Sequence, residues 1–137
     1  MTEEQKRRFE EKEGYTPTEK IFQSYVDELQ KYGYILGIQA YRIDKIKQLK
    51  YSLNRDFVNK KWSFWVSTIY PYLEEFAALD KSENELKEIC GVEKKHDWRK
   101  DLIRICGKKK LRKLEDDFEK ICGMKLFEDK NDEVFRL

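Results

Sequence analysis

Three Ile-Cys-Gly triplets contain every cysteine of this 137-residue chain, and they recur at a spacing of 16 residues, at Cys90, Cys106 and Cys122. Together with His96, the single histidine, these thiols are the ligand types of a structural zinc site. Their spacing lacks the close cysteine pair around which most structural zinc sites assemble, and no Cys-x-x-Cys redox motif is present. We therefore expect no metal, no cofactor and no thiol chemistry.

The triplets have a simpler interpretation as helix ends. Each follows the pattern apolar-x-x-Ile-Cys-Gly, which places two apolar side chains on one helix face. Glycine is the residue that most readily adopts the left-handed conformation just past a helix. The pattern predicts three short helices, at about 83–90, 98–106 and 111–122, each ended by a glycine and each with a small buried cysteine in its last turn.

Two longer helices are predicted near the N-terminus. The first begins at Thr16, which can cap it, with Pro17 in the first helical position and Glu19 as the capping-box partner. An apolar stripe at helical spacing follows, and Gly33 is a natural stop. The second helix is expected over about 34–51.

A third long helix is expected to start at Ser52 or Asn54 and to run to about residue 79, with a kink or restart at Pro71. Its apolar residues are spaced alternately by four and three, as in a helix–helix seam. The seam consists of Val58, Trp62, Trp65, Ile69, Tyr72 and Phe76. No segment shows the two-residue alternation of a β-strand.

These patterns predict an all-α fold, a small helical bundle of about three longer N-terminal helices and three short C-terminal helices. Residues 1–15 are expected to be a flexible N-terminal arm, and residues 128–137 a loose tail. Between them, residues 16–127 are expected to form a single all-α domain. Within it, 16–79 would be an aromatic-rich helical core and 82–123 a basic short-helix subdomain.

Composition narrows the function classes. The chain is 39% hydrophobic and 41% charged, which allows a folded core but leaves no apolar run near the ~20 residues of a membrane helix. The charged N-terminus lacks the apolar segment of a signal peptide. We expect an intracellular, cytoplasmic protein that has no membrane partner.

The positive charges are concentrated in one segment. Residues 94–114 carry ten Lys or Arg against two Asp, a net of +8, whereas residues 115–137 carry a net of −4. Ten cations this close repel one another, and an anionic partner relieves that cost. We expect nucleic acid, DNA or RNA, as the partner. The phosphate-contacting residues would be Lys94, Lys95, Arg99, Lys100, Arg104, Lys108, Lys109, Lys110, Arg112 and Lys113.

Enzymatic activity is not expected. The lone His96 lies beside Lys95 and Asp97, as a surface residue does, and the chain has no phosphate-binding glycine loop and no hydrolase motif. Residues 86–102 loosely match a DNA-binding helix-turn-helix, with a Gly91-Val92 turn before a basic helix.

The sequence therefore favours a non-enzymatic nucleic-acid-binding accessory or regulatory protein, of the kind encoded by viruses or mobile elements. The alternative is a protein–protein interaction module, either an oligomeric structural subunit or an inhibitor that docks on a larger machine. In that alternative the aromatic seam is partly exposed. The basic stretch is then only solvated surface, balanced by the acidic segment 115–119.

Overall fold

The computed structural model describes residues 1–55 and 65–123. In these two ranges the chain consists of helices and short connections without any β-strand, which confirms the predicted all-α fold. The described helices are α1 (Glu3–Glu13), α2 (Glu19–Tyr32), α3 (Leu36–Arg55), a π-helical turn (Trp65–Ile69), α4 (Tyr70–Cys90), α5 (Trp98–Cys106) and α6 (Lys108–Cys122).

Two helices are longer than the sequence patterns indicated. Helix α3 continues through Ser52 and Asn54, where a new helix was expected to start, and α4 continues through residues 80–82 without a break. Neither place contains a glycine or proline, so polar residues alone do not end a helix there. Pro71 is the second residue of α4, after the π-helical turn, where its missing N–H is tolerated. Val58, Trp62 and the predicted loose tail 128–137 lie outside the described residues.

The start of α2 also differs from the prediction. Thr18, not Thr16, is the N-cap, and its Oγ1 accepts a hydrogen bond of 3.2 Å from the N–H of Ile21. Pro17 and Phe22 occupy the N′ and N4 positions and are both buried, as the two residues of a hydrophobic staple are. Burial of the proline therefore accompanies a cap at Thr18, although Thr16 has the better capping-box pattern in the sequence.

The segment expected to be a flexible arm instead forms helix α1. Thr2 and Gln5 make a reciprocal capping box at its start, with bonds of 2.8 and 3.0 Å. Phe9 is fully buried, and its ring lies 5.2 Å from that of Tyr25 and 6.3 Å from that of Phe22. A single aromatic side chain thus anchors a helix whose sequence is otherwise polar, and a single buried residue produces no periodic apolar pattern.

Carboxylates from other helices bond the backbone N–H groups at the start of α3. This helix has no acidic residue in its own first turn. The N–H of Ile35 donates to Oε2 of Glu83 at 3.0 Å, and the N–H of Leu36 donates to Oε2 of Glu28 at 3.3 Å. Glu83 is only 2% exposed, so this cap is a buried, charge-assisted bond. The buried glutamate on α4 therefore has a structural role.

The contacts divide the chain into two compact units. The first comprises Met1–Tyr41 and Ala77–His96 and has its own apolar cluster. The cluster's buried members are Phe9, Phe22, Leu29, Ile35, Leu86, Ile89, Cys90 and Val92. Lys12 links α1 to α4 in this unit, because its Nζ donates to Ser82 Oγ at 2.9 Å and to Glu85 Oε2 at 3.1 Å.

The second unit comprises Arg42–Phe76 and Asp97–Leu137. Its buried cluster consists of Ile46, Leu49, Leu53, Ile69, Phe76, Trp98, Leu102, Cys106, Leu111, Leu114 and Phe118. The unit boundaries fall inside α3 and α4, whereas the sequence divided the chain at about residue 80. The difference arises because each of these long helices contributes apolar residues to both clusters.

All three Ile-Cys-Gly triplets end helices, as predicted. Gly91, Gly107 and Gly123 have φ of 70°, 89° and 70°, values that favour glycine. At Gly91 the helix ends in a Schellman motif: the N–H of Val92 donates to Lys87 O at 2.9 Å, and the N–H of Gly91 donates to Glu88 O at 3.3 Å. Val92, the residue after this glycine, is buried in the apolar cluster of the first unit.

Two other glycines provide a matched test of close backbone packing. Gly14 and Gly33 both end helices at φ near 80°, but only at Gly33 would an added Cβ meet the backbone, 3.1 Å from Lys95 O. We expect Gly14→Ala to cost about 1 kcal/mol, from the left-handed conformation alone. Gly33→Ala should cost roughly 1–3 kcal/mol more, from overpacking. Urea denaturation of the two variants measures the difference, and equal losses would contradict the close approach.

Candidate nucleic-acid interface

Helix α6 has one apolar and one cationic face. Leu111, Leu114 and Phe118, spaced by three and four residues, are 2–4% exposed and lie in the core of the second unit. Six cations of α6 are exposed, and four of them form two pairs one turn apart: Lys108 with Arg112, and Lys109 with Lys113. Burial of the leucine and phenylalanine face therefore leaves two short rows of positive charge in water.

The junction before α6 sets where these rows begin. Gly107 is the only residue between α5 and α6, and its φ of 89° and ψ of 144° are accessible essentially to glycine alone. Its N–H donates to Ile103 O at 2.8 Å, which closes α5, and its carbonyl accepts from the N–H of Leu111 at 3.1 Å, which opens α6. Because glycine has no side chain, α6 starts without a side-chain cap.

The distribution of charged side chains along α6 is unfavourable for its helix dipole. Lys108, Lys109 and Lys110 occupy the first turn, which has no acidic residue, while the carboxylates come in the second half. The positive end of the macrodipole favours anions and disfavours lysine there, by typically ~0.3–1 kcal/mol per charge. Helix stability therefore does not explain this arrangement of charges, and a bound anion would relieve it.

A shallow depression of about 650 Å³ lies along this face. Five cations and two carboxylates border it: Lys108, Lys109, Arg112, Lys113, Lys120, Asp116 and Asp117. All of these described residues belong to one helix, and the depression is largely open to solvent. Asp116 and Asp117 follow Arg112 and Lys113 by four residues, so the positive potential is strongest over the first two turns.

Three other predicted cations in this unit have local partners. Arg104 NH2 lies 3.2 Å from Oδ1 of the buried Asp101, although the arginine side chain remains 65% exposed. Arg99 NH1 is 4.0 Å from Asp97 Oδ2, and its guanidinium lies 5.6 Å from the centre of the Trp98 ring. The Nζ of Lys110 donates to Asn54 Oδ1 at 2.6 Å, whereas Lys100 is exposed on α5.

The remaining two predicted cations, Lys94 and Lys95, are exposed and belong to the first unit. The Nζ of Lys94 donates to Lys31 O at 2.6 Å, at the last turn of α2, where a cation complements the helix dipole. The backbone of Lys95 packs against Gly33. The sequence-predicted set is thus divided between the two units, and its exposed cations are concentrated on α6.

An aromatic cluster accompanies these two lysines. The rings of Tyr32 and Tyr34 stack with centres 5.4 Å apart, and His96 packs edge-on against Tyr34 at 4.7 Å. Lys31 Nζ lies 5.1 Å from the centre of the Tyr32 ring. These rings pack against one another and around the Gly33 turn, so the lone histidine has a packing role in this unit.

The thiols of Cys90 and Cys106 are buried, at 8% and 6% exposure. Burial raises the pKa of Cys90 from 9.0 to about 11. Burial also raises the pKa of Cys106, although the nearby Lys50 and Lys110 oppose that shift. Within the described ranges, no group of three or more His, Cys, Asp or Glu is placed to hold a metal ion, and the side chain of Cys122 lies outside them.

Sequence reasoning missed a second surface on the same unit. Tyr51 near the end of α3 and Tyr72 at the start of α4 border a depression together with polar residues of α3. These tyrosines are 21 positions apart and follow no common periodicity, so no local pattern connects them with each other or with α6. Only folding brings the end of α3 beside the start of α6, through the bond between Asn54 and Lys110.

The connections between helices do not match a helix-turn-helix. Residues 91–97 separate α4 from α5, whereas that motif uses a turn of about three or four residues. A single residue separates α5 from α6. The chain therefore lacks the turn on which the predicted comparison with DNA-binding helix-turn-helix proteins depended.

Comparisons of the chain with protein-family models, with curated proteins and with solved structures give no match. Every helix in residues 1–55 and 65–123 is too short or too polar to cross a lipid bilayer.

Charge substitutions on α6 test the conflict with the helix dipole. Lys109→Glu should raise the free energy of unfolding by a few tenths to about 1 kcal/mol, since it places an anion in the first turn and near Lys113. Lys120→Glu, which makes the same change in charge in the last turn, should lower it by a similar amount. Thermal and urea denaturation measure both variants. Destabilisation by Lys109→Glu would contradict the conflict with the dipole, because it would show that the wild-type lysine stabilises the helix.

Thiol accessibility tests the burial of Cys90 and Cys106. In a Cys122→Ala background at about pH 8, both thiols should react slowly with an aromatic disulfide reagent, because their raised pKa keeps the thiolate scarce. The thiolate of Cys90 forms in the unfolded chain near 9.0 and in the fold near 11, so its contribution to stability falls as pH rises through that window. Unfolding in guanidinium should make both thiols reactive. Rapid labelling of the folded protein would contradict their burial.

Proposed function

We propose that this chain is a non-enzymatic nucleic-acid-binding accessory or regulatory protein that acts inside the cell, of the kind encoded by viruses or mobile elements. The observation that carries the proposal is the pair of exposed cationic rows on the first half of α6, Lys108 with Arg112 and Lys109 with Lys113. Their charges are unfavourable for the helix alone and favourable beside a row of phosphates.

The dimensions of the rows suit a phosphate backbone. Residues four apart on a helix are about 6 Å apart along its axis, close to the separation of successive phosphates in an extended strand. Lys100 and Arg104 on the neighbouring α5 add cations in the same unit, and the Arg104 side chain is 65% exposed. Several phosphates can therefore be neutralised by two adjacent short helices.

Binding rather than catalysis is supported by the state of the reactive groups. The buried thiols of Cys90 and Cys106 have raised pKa values, which disfavour the nucleophilic thiolate. His96 is half-buried against Tyr34, in the other unit from the cationic rows. These placements favour a role for α6 as a docking surface for an anionic polymer.

A protein–protein interaction module is the competing function. Val66 and Tyr70, which are 48% and 44% exposed, present apolar surface around the start of α4 and favour it. The seam itself supports it less, because Ile69 is fully buried and Tyr72 is half-buried. In this alternative the cationic rows have no part in binding the protein partner.

Binding of oligonucleotides over a salt series tests the proposal. We expect labelled DNA or RNA strands to bind with a log–log salt slope of magnitude about 4–8. The double variant Lys109→Gln, Arg112→Gln should weaken binding and reduce that slope by about 2, since each residue neutralises one phosphate. Fluorescence anisotropy measures both quantities.

The matched control is Lys20→Gln, Lys81→Gln, which removes two exposed lysines and the same net charge from the other unit. This control should retain the wild-type slope. Equal weakening by the two double variants would show that net charge alone drives binding. Absence of binding at low salt would reject the proposal, and sedimentation over a range of protein concentrations would then test the interaction module.

A further inference from the structure

A carboxylate lies among the cations on the exposed side of α6. Asp116 is exposed, whereas Asp117 beside it is half-buried. Asp116 borders the same depression as three exposed cations: Lys109, Arg112 and Lys120. It follows Arg112 by one helical turn and precedes Lys120 by one, so the charges along this side are positive, negative and positive again. Because a carboxylate repels phosphates, the surface suits a ligand that presents a hydrogen-bond donor between its phosphates.

Helical periodicity places these four residues in one charged strip along the helix. The strip consists of Lys109, Arg112, Asp116 and Lys120. At about 100° per residue, its members lie within roughly 80° of one another around the helix axis. The buried leucine and phenylalanine face is on the opposite side of that axis. Burial of that face in the core of the second unit therefore presents the whole charged strip in one direction.

The exposed side of α6 offers charged groups and no aromatic ring. Phe118 is the one aromatic residue in the sequence of this helix, and it is only 4% exposed. Proteins that bind single strands hold successive bases by stacking them on aromatic side chains. In a duplex the bases are already stacked on one another, so no ring is needed to hold them. The helix surface therefore favours a duplex over a single strand.

The dimensions of α6 suit the major groove of B-form DNA. An α-helix with its side chains is about 10–12 Å across, and that groove is about 12 Å wide. Lys109 and Lys120, at the two ends of the charged strip, are about 16 Å apart along the axis, which is enough to reach both phosphate backbones that border the groove. The major groove of an RNA duplex is too deep and narrow for side chains to read its bases. These dimensions favour duplex DNA over duplex RNA.

The two central residues of the strip match the base edges in that groove. Arg112 is the single arginine of α6, and a guanidinium can donate two parallel bonds to O6 and N7 of guanine, as the point charge of a lysine cannot. A carboxylate such as that of Asp116 accepts a bond from the N4 amino group of cytosine. The two residues are about 6 Å apart along the axis, or roughly two base-pair steps. They can therefore contact nearby G·C pairs.

We propose that the charged strip of α6 enters the major groove of duplex DNA, where Arg112 donates to a guanine and Asp116 accepts from the amino group of a cytosine. Lys109 and Lys120 contact the phosphates on either side. This inference rests on the proposed function and names its ligand as a DNA duplex that contains G·C pairs. Asp116 makes binding selective, because it repels DNA wherever no cytosine amino group meets it.

The test compares Arg112→Lys and Asp116→Asn with the control Asp44→Asn. Asp44 is an exposed aspartate of the same unit that lies on α3, so its substitution makes the same change in charge away from the strip. The probes are labelled DNA duplexes of only G·C or only A·T pairs, the G·C duplex with 7-deazaguanine in place of guanine, an RNA duplex and a single DNA strand. Fluorescence anisotropy measures binding, and circular dichroism with a thermal melt confirms that each variant is folded.

We expect the wild-type protein to bind the G·C duplex about fivefold or more tightly than the A·T duplex and the 7-deazaguanine duplex. Arg112→Lys should lose most of this preference and keep the salt slope, because the charge remains and the planar fork is lost. Asp116→Asn should bind the A·T duplex more tightly than wild type and also lose preference, because the repulsion is removed and an amide can bond adenine. Asp44→Asn should keep the wild-type preference.

Other outcomes overturn the inference in distinguishable ways. Equal wild-type affinity for all three DNA duplexes, together with weaker binding by Lys109→Gln, Arg112→Gln, leaves the proposed function standing and rejects base contacts. Tighter binding of the single strand or of the RNA duplex rejects the major groove of DNA as the ligand. A G·C preference that persists in both Arg112→Lys and Asp116→Asn rejects these two residues as its source. If wild-type protein binds no probe at low salt, the proposed function and this inference both fail.

Discussion

The position of the basic helix depends on the backbone conformation of Gly107. This residue joins α5 to α6 without any other connection, and its φ of 89° and ψ of 144° would strain any residue with a Cβ. It completes the last hydrogen bond of α5 and the first of α6. Because the junction is so short, the apolar faces of both helices enter one core, and the cationic rows of α6 are left facing water.

The core and the charges of α6 are linked through helical periodicity. Leu111, Leu114 and Phe118 are buried, and this burial fixes the rotation of the helix about its axis. Once that rotation is set, Lys108, Lys109, Arg112 and Lys113 are exposed as two rows. The hydrophobic effect that folds this unit therefore also presents its charges, and no separate binding loop is needed.

The ten cations that look equivalent in the sequence differ in the fold. Lys94 completes the end of α2, Arg99 lies between Asp97 and Trp98, and Lys110 bonds Asn54. Such contacts hold the fold together and leave less of each cation for a partner. The partners of Lys94 and Lys110 are 63 and 56 positions away in the chain, so charge counting along the sequence could not single out these two lysines.

Local rules predicted much of the helical structure correctly. The three glycine helix ends and the bounds of α5 follow from residue types within one or two turns. Errors occurred where contacts made by the folded chain decided the outcome. Thr16 has the capping-box pattern but Thr18 is the cap beside the buried Pro17, and α1 buries Phe9 among residues of α2.

The amino-acid sequence alone was enough to establish the all-α fold, the helix-ending glycines and the concentration of positive charge in residues 94–114, because each is a property of neighbouring residues. The grouping of the helices into two units, the bonds of Lys94 and Lys110, and the meeting of Tyr51 with Tyr72 came from tertiary packing. These features join residues that are about 20 to 60 positions apart. Their proximity is produced by burial of a shared core, which no local spacing encodes.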